Sequence, residues 1–194
     1  MSAHGRYASA PWLKAALLIS LSFPAMGWGA RSEQVKVKVL ARSMAPVALG
    51  SGPVVADLVP VGRPLAAQLD SMPRGHRLYL VVRGLTAEAP PGTLFSAFLD
   101  LPTGTHPGRD DPRRVGVIGF YSARRPGAAN APDAESPVNA DAEKMFFSFD
   151  VTETARALRS RGLLGARTTI TLIPNSAPDP AAQARIGRLE LVEQ

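Results

Sequence analysis

Cysteine is absent from this chain of 194 residues. No disulfide can staple the fold, and no thiolate can act as metal ligand or nucleophile. Histidine is nearly as scarce, with three residues at positions 4, 76 and 106. A catalytic zinc site takes three protein ligands and a coupled dicopper site takes more, so His76 and His106 do not make either. Asp110 and Asp111 stand near His106 but read as an ordinary charged loop. Met44, Met72 and Met145 are scattered in the manner of core fillers. Aromatic residues make up 6% of the chain, and the basic residues fall as singles and pairs such as Arg113-Arg114 and Arg124-Arg125. No basic stripe interleaved with aromatics results, which argues against nucleic acid as a partner. A nucleophile elbow, a phosphate-binding Walker loop and a dinucleotide fingerprint are all missing. Asp133, Glu135, Asp141 and Glu143 are acidic, but nothing marks any two as an acid–base pair. The residues themselves therefore nominate no catalytic, cofactor-binding or metal-binding side chain.

Long apolar runs are also lacking, apart from Ala15–Phe23. That run is too short for a membrane-crossing helix, which needs about 20 residues. Arg6 and Lys14 precede or abut it, Pro24 breaks it, and small residues follow at Ala25, Gly27, Gly29 and Ala30. This order describes a secretory signal peptide over residues 1–29, cleaved after Gly27 or Gly29, with an uncleaved anchor as the alternative. The expectation is an exported protein, periplasmic or secreted, without a stable membrane span after processing. Loss of the first 30 residues removes two basic side chains and no acid, leaving 20 against 16. That modest excess reads as a solvated surface.

What is present is a series of short apolar segments over residues 30–194. Gln34–Leu40 alternates, with Val35, Val37 and Val39 on one face and Lys36 and Lys38 on the other. Residues 43–75 are punctuated by Pro46, Pro53, Pro60, Pro64 and Pro73 and allow only short strands such as Val54–Leu58. Arg77–Leu85, Thr93–Leu101 and Val115–Tyr121 read as further strands. The glycines of the last suggest close backbone approach or a bulge. Arg124–Glu143 carries one large hydrophobe, Val138, and reads as a long polar loop. Thr168–Pro174 and Ile186–Val192 complete the set. Seven or more short strands with turns between them predict a mainly β fold, a single β-sandwich with one short helix near 151–161.

That helix begins inside Met145–Gly162, the stretch with the densest signals. Phe147, Phe149 and Val151 alternate with Ser148 and Asp150, and the period then changes to helical, with Val151, Ala155 and Leu158 on one face. Asp150 is placed to accept the first free amide protons of the helix, with Glu153 completing an acidic capping box. Gly162 supplies the stop.

The order of segments carries a resemblance. L-Y-L-V-V-R-G-L (78–85), L-F-S-A-F-L-D-L-P (94–102), V-G-V-I-G-F-Y (115–121), F-S-F-D-V-T (147–152), I-T-L-I-P (170–174) and I-G-R-L-E-L (186–191) follow one another. The set resembles the C-terminal domain of polyphenol oxidase and tyrosinase-type copper enzymes, known by a KFDV-like motif. Phe149-Asp150-Val151 matches the motif's core, with Ser148 where the lysine would stand, and Phe147 leads into it. Ser122, after Phe120-Tyr121, departs from the family's glycine. The likeness is strongest over residues 77–192.

The resemblance implies a β-sandwich that packs on a copper domain and shields it. The copper domain with its histidine ligands is not in this chain, so no oxidase residue carries over. The expectation is a non-catalytic accessory domain for a tyrosinase-like copper oxidase acting in trans, with no cofactor of its own. Phe120 and Tyr121 are the candidates for partner contact, Phe120 reading equally well as core. The alternatives are a free-standing module that binds polysaccharide or an envelope component, and a small hydrolase using the acidic loop.

Overall fold

The computed structural model describes residues 37–121, 123, 146–165 and 167–194. The chain divides into units Met1–Gln34 and Val35–Gln194, and every described residue belongs to the second. The expected signal peptide, the first half of the Gln34–Leu40 strand, Ser122 and the polar stretch Arg124–Glu143 lie outside the described residues. Among the described residues no helix is long and apolar enough to cross a membrane.

The elements run β1 (Lys38–Ser43), β2 (Val47–Ala48), β3 (Val54–Pro60), α1 (Leu65–Asp70), β4 (Leu78–Thr86), β5 (Phe95–Leu99), β6 (Arg114–Ile118), β7 (Phe146–Asp150), α2 (Thr152–Ser160), β8 (Thr168–Pro174) and β9 (Arg185–Glu193). A 3-10 turn at Pro180–Ala182 precedes β9. Hydrogen bonds join the strands into one antiparallel sheet in the order β6-β5-β8-β3-β1-β9-β4-β7, with β2 beside β9. The sheet curls until its end strands meet. A Cβ placed on Gly116 of β6 would lie 2.3 Å from the Phe149 ring of β7, so only glycine permits this closure. Of the two expectations for these glycines, the close approach is made by the Phe149 side chain and not by another backbone. The pairing of β5 with β6 shifts register between Ala97 and Phe98. The mainly β fold is confirmed, and its strands form one nearly closed antiparallel sheet.

The core lies inside the curl. Leu58, Leu80, Val82, Phe95, Ile118, Ile170, Leu172, Leu189 and Leu191 are each 2% exposed or less. Alternation explains most of these positions, since residues two apart on a strand share a face. β1 departs from its expected pattern. Val37 is exposed and Leu40 and Ala41 are both buried, because a bulge against β9 between Val39 and Ala41 turns two consecutive side chains inward. The helix α1, in a stretch read as short strands, was not anticipated. It follows Pro64 and turns Leu65 and Gln68 inward, and Gln68 Nε2 donates to the Leu40 carbonyl at 3.1 Å.

The second helix is as expected on its inner face, with Val151, Ala155 and Leu158 buried. It ends in a Schellman arrangement around Gly162, whose φ is +67°. The Gly162 N–H donates to the Arg159 carbonyl at 3.0 Å and the Leu163 N–H to the Leu158 carbonyl at 2.8 Å.

Candidate partner-facing site and its support

Every pairing in the sheet is antiparallel, so neighbouring strands alternate in direction. The end of β7, the start of β4 and the end of β9 therefore gather at one end of the curl, beneath α2. The end of β6 and the start of β7 gather at the other.

At the helical end the F-D-V-T stretch is fastened to β4. The Val151 N–H donates to the Leu78 carbonyl at 2.8 Å, and the buried Thr152 hydroxyl accepts the Leu78 N–H at 2.8 Å. Asp150 accepts the Thr152 N–H at 3.0 Å through one oxygen and binds Arg77 through the other. The Thr152 side chain first, then its N–H and the Arg77 guanidinium, hold the Asp150 carboxyl below the usual carboxylate range against a partial desolvation. Asp150 thus takes the first free amide proton, as expected. The reciprocal half of the capping box does not form, since Glu153 pairs with Arg156 at 3.3 Å. The reason is register: Asp150 is still paired with Tyr79 in the sheet, so Val151 occupies the cap position and has no side chain to bond. Arg159 of α2 clasps Asp70 of α1 with contacts of 2.7 and 3.1 Å, joining the two helices.

Sequence reasoning missed two supports. One is Thr152 itself. The other is Asp100, which follows β5 with φ at +47°. Its carboxylate accepts the N–H groups of Thr169 at 2.6 Å and Gly165 at 3.0 Å, tying the end of β5 to the approach to β8. Burial pushes the Asp100 carboxyl up, and these N–H groups oppose that. The available signal was an aspartate directly after a strand, since aspartate is among the few side chains that tolerate a left-handed backbone.

At the opposite end the two aromatic candidates part company. Phe120 is 5% exposed and sits edge-on to Phe95 at 5.7 Å, so its ring fills the core. Tyr121 is 92% exposed. Phe147 and Phe149 stack at 6.1 Å and pack against the core, as their alternation with Ser148 and Asp150 predicts. Phe146, which sequence reasoning passed over, turns to the outside of β7 and is 51% exposed. The alternation that places Phe147 and Phe149 inward already places Phe146 outward. The Arg83 guanidinium lies 4.9 Å from the Phe146 ring, while Arg83 and Arg188 both reach the largely buried Glu190, at 3.5 and 3.7 Å. An exposed tyrosine and an exposed phenylalanine steadied by an arginine thus occupy the same end of the sheet.

The two histidines serve different places. His76 Nδ1 stands 2.9 Å from Glu193 Oε1, and His106 lies in the connection between β5 and β6. Among the described residues no three His, Cys, Asp or Glu side chains converge where a metal ion would sit.

A family profile described as "Domain of unknown function (DUF7868)" matches residues 29–194. No curated protein matches the sequence. Solved structures that match include a latent aurone synthase (polyphenol oxidase), with 15% identity, a TM-score of 0.44, and coverage of 75% of this chain and 24% of that one. A latent apple tyrosinase matches with 14% identity, a TM-score of 0.44, and coverage of 76% and 27%. The chain thus spans about a quarter of the length of the solved chains it matches.

Proposed function

The chain belongs to the DUF7868 family, and from that premise we propose that it is an exported, non-catalytic accessory protein that docks on a separately encoded tyrosinase-like copper oxidase. The observation that carries this reading is the pair of exposed aromatic rings, Tyr121 and Phe146 with Arg83 against the latter, at one end of an otherwise closed sheet. Tyrosine, tryptophan and arginine dominate the energetics of protein interfaces, and an aromatic ring left in water is the kind of anchor a partner covers. The order of segments, with Phe149-Asp150-Val151 at its centre, directs the choice of partner to a polyphenol oxidase-type enzyme. A protein acting in trans lacks the effective concentration a tether supplies, so the contact itself must provide the affinity. A stable interface buries about 1,200–2,000 Å².

The test is to purify the protein without its first 29 residues and mix it with a copper oxidase encoded beside it. Association and diphenol oxidation are followed while copper is loaded. A shield lowers the oxidation rate, and a loading helper shortens the time to full activity. Tyr121→Ala with Phe146→Ala weakens association by about tenfold or more, the loss typical of one interface anchor. Phenol oxidation by the protein alone, or association that the double variant leaves unchanged, refutes the reading.

A further inference from the structure

The connection between β5 and β6 is longer than a hairpin requires. β5 ends at Leu99 and β6 begins at Arg114, so 14 residues join two adjacent antiparallel strands. Hairpin loops usually run to 2–5 residues, and longer ones without structure of their own are commonly functional. This connection leaves the helical end of the sheet and folds back along its outer face. The consequence appears in β5, all five of whose residues are buried. Phe95, Ala97 and Leu99 face the core, while Ser96 and Phe98 face outward and are covered nonetheless.

Between the connection and the sheet lies a cleft of about 490 Å³. Its floor is Ser96, Phe98 and Ile173, paired side by side on the outer face of β5 and β8. Its rim carries His106 and Arg109 from the connection, Arg114 from the start of β6, and Asn175 after β8. Among the described residues no aspartate or glutamate lines it, while Asp110 and Asp111 line an adjoining cleft with the same two arginines. The polar groups are oriented: Arg114 Nη1 donates to the Arg109 carbonyl at 3.3 Å, and Ser96 donates its hydroxyl to Asn175 Oδ1 at 2.8 Å. Arg109 and Arg114 bring only donors to the rim, while the Asn175 amide, the His106 ring and the Thr105 hydroxyl can each donate as well. The volume suits a small molecule. Pro53 and Pro174 add apolar surface beside Phe98 and Ile173.

We propose that this cleft binds a small organic anion, a carboxylate carried on a flat apolar ring, with Arg109 and Arg114 holding the carboxylate and Phe98 and Ile173 beneath the ring. Arginine matches a carboxylate by paired hydrogen bonds, and such charge-assisted bonds are the strong ones. The site shares no residue with Tyr121, Phe146 or Arg83, so it stands or falls separately from the docking reading above.

The experiment is an amide NMR titration of the purified protein with benzoate, and in parallel with benzamide, its neutral isostere. Benzoate is expected to shift the amides of Arg114, Ser96 and Asn175 saturably, with benzamide at least about tenfold weaker. Arg109→Gln combined with Arg114→Gln is expected to weaken benzoate by about tenfold or more while leaving the unfolding midpoint in place. Absence of saturable shifts up to about 20 mM benzoate overturns the proposal, this being far weaker than a formed site allows. Equal binding of benzoate and benzamide, or a folded double variant with unchanged affinity, does so as well. Should the double variant fail to fold, the benzoate–benzamide comparison on the unaltered protein still decides.

Discussion

The two ends of the curled sheet are built on opposite terms. At the helical end α2 buries Val151, Ala155 and Leu158 over the core, and Thr152, Asp150 and Arg159 fasten it to β4 and α1. Asp150, Thr152 and Arg159 each find a partner within the chain. The other end leaves Tyr121 and Phe146 in solvent, with Arg83 as the neighbour of the latter ring. Both ends draw on the same β7 strand, one through its last residues and the other through its first. What separates them, among the described residues, is whether a helix lies over the end. The sealed end is where substitutions should cost stability, and the open end is where they should cost association.

The largest effect expected at the sealed end is that of Leu158→Ala. The side chain is 2% exposed, and removing it leaves a cavity worth about 2–5 kcal/mol, measured by chemical denaturation. A loss below that range would mean that α2 lies on the sheet without sealing it. Gly116→Ala comes next, because its new methyl meets the Phe149 ring where the sheet closes. Overpacking of this kind costs roughly 1–3 kcal/mol. Unchanged stability would show that the two end strands separate readily, and would erase the contrast between a closed wall and an open end.

Asp150→Ala removes the acceptor for the first helical amide and the partner of Arg77. The expected loss is about 0.5–2 kcal/mol near neutral pH. Its pH course carries a sign. The folded-state pKa of Asp150 lies below its ordinary 3.8, so its contribution is present above that value and is lost as pH falls toward the lower one. Asp150→Asn therefore flattens the acid limb of the stability profile. Asp100 is displaced the other way. Between 3.8 and its raised value the folded chain holds the extra proton, so its contribution declines as pH rises through that window. Asp100→Asn accordingly steepens the same limb, and denaturation series from pH 7 to pH 3 separate the two. A common direction for both would contradict the opposed environments of these carboxylates.

The smallest stability effect belongs to the open end. Tyr121→Ala is expected to change unfolding free energy by no more than about 0.5 kcal/mol, as surface substitutions usually do. A larger loss would place its ring in a contact that its 92% exposure does not suggest. Phe146→Ala should cost slightly more through the Arg83 contact, and both should act chiefly on association.

How much of this could be read in advance depends on the range of the signal. β8 was read at Thr168–Pro174, which are its bounds, because a run of β-branched residues in register with a period of two is a local property. Gly162 was legible as a helix stop for the same reason. Phe120 and Tyr121 are adjacent and alike in sequence, yet one is buried against Phe95 and the other is not, since Phe95 is brought there by the β5–β6 pairing. Thr152 and Asp100 escaped notice because their partners, Leu78 and Thr169, are distant in the chain and become neighbours only in the fold.

The sequence by itself determined the mainly β class, most strand segments, the one helix read at 151–161 and its inward face. These follow from short-range periodicity and from the conformational preferences of glycine, proline and β-branched residues. Only the tertiary structure decided that the strands close into a single curled sheet, that β5 is covered on both faces, and that the exposed Phe146 and Tyr121 share one end. Burial is set by what packs against a residue. For a strand, those neighbours are chosen by long-range pairing that no local pattern encodes.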